Sequence, residues 1–222
     1  LNDWGALGGV IGRHAGDYSQ VPLIVGIERV PGPDEMKHFG AALASFGSVP
    51  LFHIAGVTPE AVRVEDVVPA GQTLRTHDVA EADIRALQAR YAGNKDAIDV
   101  VVFSAPQLSL LEMQTLAVLL DGRNAEIPLL AVTSPQVKPD CDRLGLTARI
   151  EAAGGTVLSG MCFYQSYARE MAEANGWRRL ATNSAKLANI IGGYGYRPVL
   201  LSMEQCVEAA CAGSKPKPSV RA

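Results

Sequence analysis

The chain has 222 residues, 48% of them hydrophobic and 19% charged, a balance that supports a buried core and argues against disorder over most of its length. Its 20 basic and 23 acidic residues are interspersed and leave a formal net charge of −3, which excludes the basic stripe that neutralises a nucleic-acid backbone. Every apolar run is cut short by Gly, Pro or a charge, so no membrane span is expected, and four cysteines without a CxxC pair or a secretory leader point to a reducing, cytoplasmic setting.

The first segment, Leu1-Asn-Asp-Trp-Gly-Ala-Leu-Gly-Gly9, reads like the interior of a longer protein. Gly8-Gly-Val-Ile-Gly12 looks superficially like a dinucleotide loop, but no strand precedes it and a Walker-type lysine is absent. From Val21 onward short apolar runs alternate with stretches of helical period. Strands are expected at residues 22–26, 51–55, 98–103, 128–132, 156–158, 179–181 and 198–201, and helices at 33–46, 81–92, 110–120, 135–153, 164–175, 184–191 and 203–212. Leu110, Met113, Leu116, Ala117 and Leu120 give the clearest helical face, while Pro139 and Gly145 interrupt the fourth helix.

This alternation predicts an α/β fold of largely parallel sheets with helices on both faces, as part of a larger multi-domain protein. Residues 57–76 are rich in Val, Pro and Gly and break the rhythm, which suggests a domain crossover. On that reading residues 1–70 belong to a first α/β domain completed by upstream sequence, 71–212 form a second α/β domain, and 213–222, with two prolines, form a disordered tail.

Several expected strands end in a small polar residue that also begins a helix. Ser109-Leu-Leu-Glu112 is a capping box, Thr133-Ser134-Pro135 offers an N-cap before proline, Thr58-Pro59-Glu60 repeats the device after His53, and Thr182-Asn183-Ser184 and Ser202-Met-Glu-Gln205 repeat it near the C-terminus. In an open parallel sheet such turns share one edge, where free N–H groups and helix dipoles favour a small anion. For any one turn taken alone, an ordinary cap is the better explanation. Thr182-Asn183-Ser184-Ala185-Lys186 asks for more, because a cation in the first turn opposes the helix dipole by a few tenths to about 1 kcal/mol unless an anion binds there.

Cys162 follows an expected strand at the same edge, where a thiolate could ligate iron or act as a nucleophile, although a lone buried cysteine is commoner. Cys206 and Cys211 fall on different faces of the last helix and read as packing residues. His53 lies in a very apolar strand, the usual setting of a hydrogen-bonded core histidine, yet near the strand end. His14, His38 and His77 lack partners at diagnostic spacing.

Leu51-Phe-His-Ile-Ala-Gly-Val-Thr-Pro-Glu-Ala61 resembles the F-H-I-x-G-V-T-P-E-A segment of the aconitase X family, a divergent branch of the aconitase superfamily. Ala181-Thr-Asn-Ser-Ala-Lys186 resembles its T-N-S-x-K motif, and Ser202-Met-Glu-Gln-Cys-Val-Glu-Ala-Ala210 its S-L-x-x-C-V-E-A-A ending, so the likeness to the large, catalytic part covers nearly the whole chain. The resemblance implies an aconitase-like fold and dehydration of a small anionic hydroxy acid, cis-3-hydroxy-L-proline in many bacterial members and mevalonate 5-phosphate in archaeal ones. It also implies an iron–sulfur cluster or iron, an upstream part, and a small swivelling domain or subunit as partner.

The chain departs from the family where the cluster is expected. Where a G-C-P-H-x-S segment is expected the chain has Phe103-Ser-Ala-Pro-Gln-Leu-Ser109, with Ser104 in place of a cluster cysteine and Gln107 in place of a histidine; a D-T-C segment becomes Ser159-Gly-Met-Cys162, and A-H-Y after Lys186 becomes Ala188-Asn-Ile190. The matched positions therefore supply Cys162 alone as a metal ligand. Lys186 and Ser184 are the candidates for substrate anchoring or proton transfer, and Thr58, Ser104, Ser109, Thr182, Asn183 and His53 for lining the site. A cluster-free carboxylate-binding protein and a scaffolding subunit of an aconitase X-like complex are the alternative readings.

Overall fold

The structure, a computed structural model, describes residues 2–94 and 97–212; the expected tail at 213–222 lies outside them. The chain divides into two compact units, Asp3–Arg90 and a second that begins at Tyr91. Within the first unit, the Gln88 side-chain amide of α3 (Glu81–Arg90) donates to the Asp3 carboxylate at 2.9 Å.

The first unit opens with α1 (Asn2–Ala15), a helix that was not expected. Each interior glycine costs a helix about 1 kcal/mol relative to alanine. Here the glycines let α1 approach α2 (Pro33–Gly47) backbone to backbone: a Cβ added at Gly8 would overlap the Phe39 carbonyl, one at Gly47 would overlap the Gly12 carbonyl, and one at Gly12 would sit 2.8 Å from the Leu43 oxygen. Short strands β1 (Leu23–Ile24) and β2 (His53–Ile54) pair in parallel, Leu23 opposite His53. Phe39, Leu43, Val49, Ile24 and Ile54 form the core, with Trp4, Leu7 and Ile11 of α1 packed against it. Residues 57–76 hold turns and one 3₁₀ turn, Val64–Asp66.

The second unit is a five-stranded, all-parallel sheet flanked by helices, as the alternating pattern requires. Its strands are β3 (Val100–Leu108), β4 (Leu129–Thr133), β5 (Gly155–Ser159), β6 (Arg179–Thr182) and β7 (Arg197–Leu200), arranged β5-β4-β3-β6-β7. Side chains alternate across a strand. Val101 and Phe103 face a cluster built with α4 (Leu110–Leu119), α5 (Lys138–Arg143), α6 (Leu146–Ala152) and α9 (Met203–Cys211). Val100 and Val102 face the other side, against Phe163 and residues of α7 (Ala168–Asn175) and α8 (Ala185–Ile191).

Two expected helices are shorter than their patterns suggest. The stretch 135–153 is split into α5 and α6 by Gly145, which takes a left-handed φ of +71° that favours glycine. The stretch 164–175 begins as a 3₁₀ turn, Phe163–Gln165, and α7 starts only after Tyr167, itself left-handed at φ +60°.

Candidate functional site

Chain order runs outward from β3 to β4 and β5, then returns to place β6 and β7 on the other side of β3. The order therefore reverses between β3 and β6, and the crevice outside the strand ends at such a switch point is where open α/β sheets bind ligands. Ala105, in the second half of β3, meets Ser184, just past the end of β6, there.

The contact is direct. Beyond Phe103 the β3–β4 register shifts, and Ala105 adopts a left-handed φ of +53° ahead of a cis bond to Pro106. Ala105 is held there by the Ser184 hydroxyl, which donates to its carbonyl at 2.7 Å and accepts from Leu187 N at 3.1 Å as the N-cap of α8. The Thr182 hydroxyl accepts from Ser184 N at 3.2 Å. A non-glycine residue held at positive φ costs roughly 1–3 kcal/mol, strain that clusters at functional sites.

Asn183 completes this turn and differs from its neighbours. It is 2% exposed, yet its side-chain Nδ2 has no hydrogen-bond partner. A buried donor left unpaired costs about 1–3 kcal/mol. Lys186, half-buried in the first turn of α8, likewise has no ion-pair or hydrogen-bond partner among the described residues. An unsatisfied amide and an unpaired ammonium in one turn suit a ligand carboxylate.

The loop after β5 closes the same end of the sheet. Phe163 N donates to the Ser104 hydroxyl at 3.4 Å, and Gln107 Nε2 donates to the Met161 carbonyl at 2.9 Å. Cys162 sits between these two ties, half-buried and packed on the Val102–Phe163 side of the sheet. Burial, together with the Cys162 sulfur beside it, pushes the Tyr164 hydroxyl up from its ordinary value.

Ser109 is brought to the sheet edge but is engaged in its capping box: its hydroxyl accepts from Glu112 N at 3.1 Å, and the Glu112 carboxylate accepts from Ser109 N at 2.9 Å. Ser202 caps α9 in the same way. Thr58 begins no helix, contrary to the expected N-cap. Its hydroxyl instead accepts from Ile54 N at 3.0 Å and donates to Ile54 O at 3.2 Å, locking the end of β2 in the first unit. His53, also in the first unit, carries a buried Nδ1 without a partner.

Sequence reasoning missed Ala105 and gave no site role to Gln107. The residue before a proline is biased away from ordinary helical backbone, the one local signal that marked Ala105. Its partner in Ser184 lies 79 positions away and left no trace in either segment. Among the described residues no three His, Cys, Asp or Glu side chains gather as a metal site. Cys141 and Cys206 are buried in the cluster on the opposite face of the sheet from Cys162, with Cys211 packed against it, and burial pushes the Cys141 and Cys211 thiols up.

The described residues include no helix long and apolar enough to cross a membrane. Comparison with known proteins matches residues 1–89 to the family model of the aconitase X second domain and residues 98–212 to that of the aconitase X third domain. The chain is 35% identical over 202 residues to cis-3-hydroxy-L-proline dehydratase of Pseudomonas aeruginosa, covering 89% of this chain and 34% of that protein. It is 33% identical over 193 residues to the phosphomevalonate dehydratase large subunit of Methanothermobacter thermautotrophicus, covering 86% and 45%. A crystal structure of Thermococcus kodakaraensis aconitase X in its holo-form superposes with a TM-score of 0.82 at 29% identity, over 94% of this chain and 51% of that one. The chain thus spans from about a third to half the length of these relatives.

Proposed function

This chain belongs to the aconitase X family, and from that premise we propose that it forms part of a hydro-lyase that removes water from a small hydroxy acid such as cis-3-hydroxy-L-proline. The observation that carries the reading is the unpaired, buried Asn183 amide in the same turn as the unpaired Lys186 ammonium, at the switch point of the sheet.

Dehydration next to a carboxylate needs a base to take the neighbouring proton and an acid to help hydroxide leave. When that proton departs, charge builds up on the carboxylate oxygens. Lys186 and the Asn183 amide bind those oxygens, and their attraction strengthens as the charge develops, which is the condition for lowering a barrier rather than only tightening binding. Ser184 supports them indirectly: its proton is held by Ala105, so it fixes the turn that presents Asn183 and Lys186. Thr182 and Ser104 brace the same turn and the loop opposite. Ser109, Thr58 and His53 remain proposed lining residues of the complete enzyme.

The iron–sulfur cluster that family membership suggests does not fit the donors present: among the described residues Cys162 is alone on its face of the sheet and no three-donor group occurs. No step above runs through it. A small swivelling domain or subunit and further sequence of the catalytic chain would complete the cleft, a reading supported by archaeal relatives that are large subunits. The test is turnover of cis-3-hydroxy-L-proline by the full-length protein, read as the absorbance of the unsaturated ring product (an enamine that tautomerises to the imine), and its loss in Lys186→Met. A full-length protein that turns over neither this substrate nor other small hydroxy acids would sink the reading.

A further inference from the structure

Two side chains from β3 reach one loop. Gln107 grips the carbonyl of Met161 at 2.9 Å and Ser104 takes the amide of Phe163 at 3.4 Å, so Cys162 is bracketed on both sides by protein hydrogen bonds. We infer that Ser104 and Gln107 are positioning residues that hold the Cys162 loop in place of a metal, and that this chain works without a cysteine-ligated cluster at the end of its central strands. The inference rests on reading this edge as the substrate site.

The donor set supports it. A thiolate-held cluster needs several soft sulfur ligands converging on one point. Cys162 is the sole cysteine on its face of the sheet among the described residues, and the other three belong with the opposite cluster. Ser104 offers a hard hydroxyl that stays protonated at neutral pH, is 1% exposed, and already accepts from the Phe163 amide. A loop organised by a metal is ordered when the metal binds. This loop has its own ties, and both come from side chains of β3.

The test uses full-length protein purified without oxygen, assayed for iron and acid-labile sulfide, with the alkylation rate of Cys162 by iodoacetamide measured before and after chelator and Cys162→Ser as the blank. The expected result is sub-stoichiometric iron, a rate indifferent to chelator, a rate roughly 3- to 10-fold higher in Gln107→Ala, and recovery in Gln107→His, which keeps a donor. Ser104→Ala gives the second reading of loop release should Gln107→Ala fail to fold. Stoichiometric iron and sulfide that vanish in Cys162→Ser would overturn the inference while leaving the dehydratase reading intact. An alkylation rate unmoved in both loop variants would overturn the positioning role. Iron-free protein that holds its loop but turns over no hydroxy acid would uphold the inference and reject the dehydratase.

Discussion

The Ser184 hydroxyl donates to the Ala105 carbonyl at 2.7 Å across the junction of β3 and β6, and the same oxygen accepts from Leu187 N. One side chain therefore restrains a left-handed residue and caps a helix. Ser184→Ala is expected to cost about 2–3 kcal/mol, a lost cap plus a buried carbonyl deprived of its donor. Urea denaturation measures it, and a loss below about 0.5 kcal/mol would mean that neither bond matters.

Asn183 and Lys186 should respond in the opposite sense. Lys186→Met is expected to lower kcat/KM on the hydroxy acid by roughly 100-fold, the usual cost of one donor to a developing oxyanion, with stability unchanged. Asn183→Leu removes an unpaired buried donor, so its melting temperature should hold or rise while activity falls. A variant that lost stability and activity together would mark Asn183 as a structural residue.

Glu35 supplies a pH signature in the first unit. The Arg29 guanidinium at 2.7 Å, and then the Gly32 amide, hold its carboxyl down to about 2 from an ordinary 4.5. A depressed pKa stabilises the fold fully above the unfolded value and loses that contribution as pH falls from 4.5 toward 2. Arg29 is 65% exposed, so solvent screening keeps the pair's contribution small. Glu35→Gln should destabilise the protein slightly at pH 7, and the difference from the parent should close across this acid window in thermal melts.

Gly47→Ala tests the contact between α1 and α2. An added methyl would overlap the Gly12 carbonyl, and backbone cannot rotate away as a side chain can. A loss of about 2–3 kcal/mol is expected, of the size seen for overpacked cores. Gly40→Ala, whose Cβ would meet only the Phe52 ring at 3.5 Å, is the matched control and should change stability little.

Local chemistry decided what could be read in advance. The run Val100-Val-Val-Phe103 announces a strand buried on both faces, and Ser109-x-x-Glu112 announces the start of α4 because the capping bonds span only three residues. Thr182-Asn183-Ser184 stood out for the same reason. The helix α1 stayed hidden because its glycines are poor helix formers by propensity, and their use appears only when α2 lies against them. Thr58 misled because a hydroxyl followed by proline suits a turn as well as a helix start. The grip of Gln107 on Met161 joins positions 54 apart and has no local signature.

The central place of β3 also sets when the site can exist. Its neighbour β4, and β5 beyond it, follow promptly along the chain, so that side of the sheet can pair early. Its other neighbour, β6, arrives only after α4, β4, α5, α6, β5 and α7 have been made, and the loop that closes between Ala105 and Ser184 carries an entropic cost that nearby pairings avoid. Regained ligand binding on refolding should therefore lag the return of bulk helical signal. The pocket acts as a clock that starts when the last strands dock, and a chain nicked between β5 and β6 would keep half a sheet and no site.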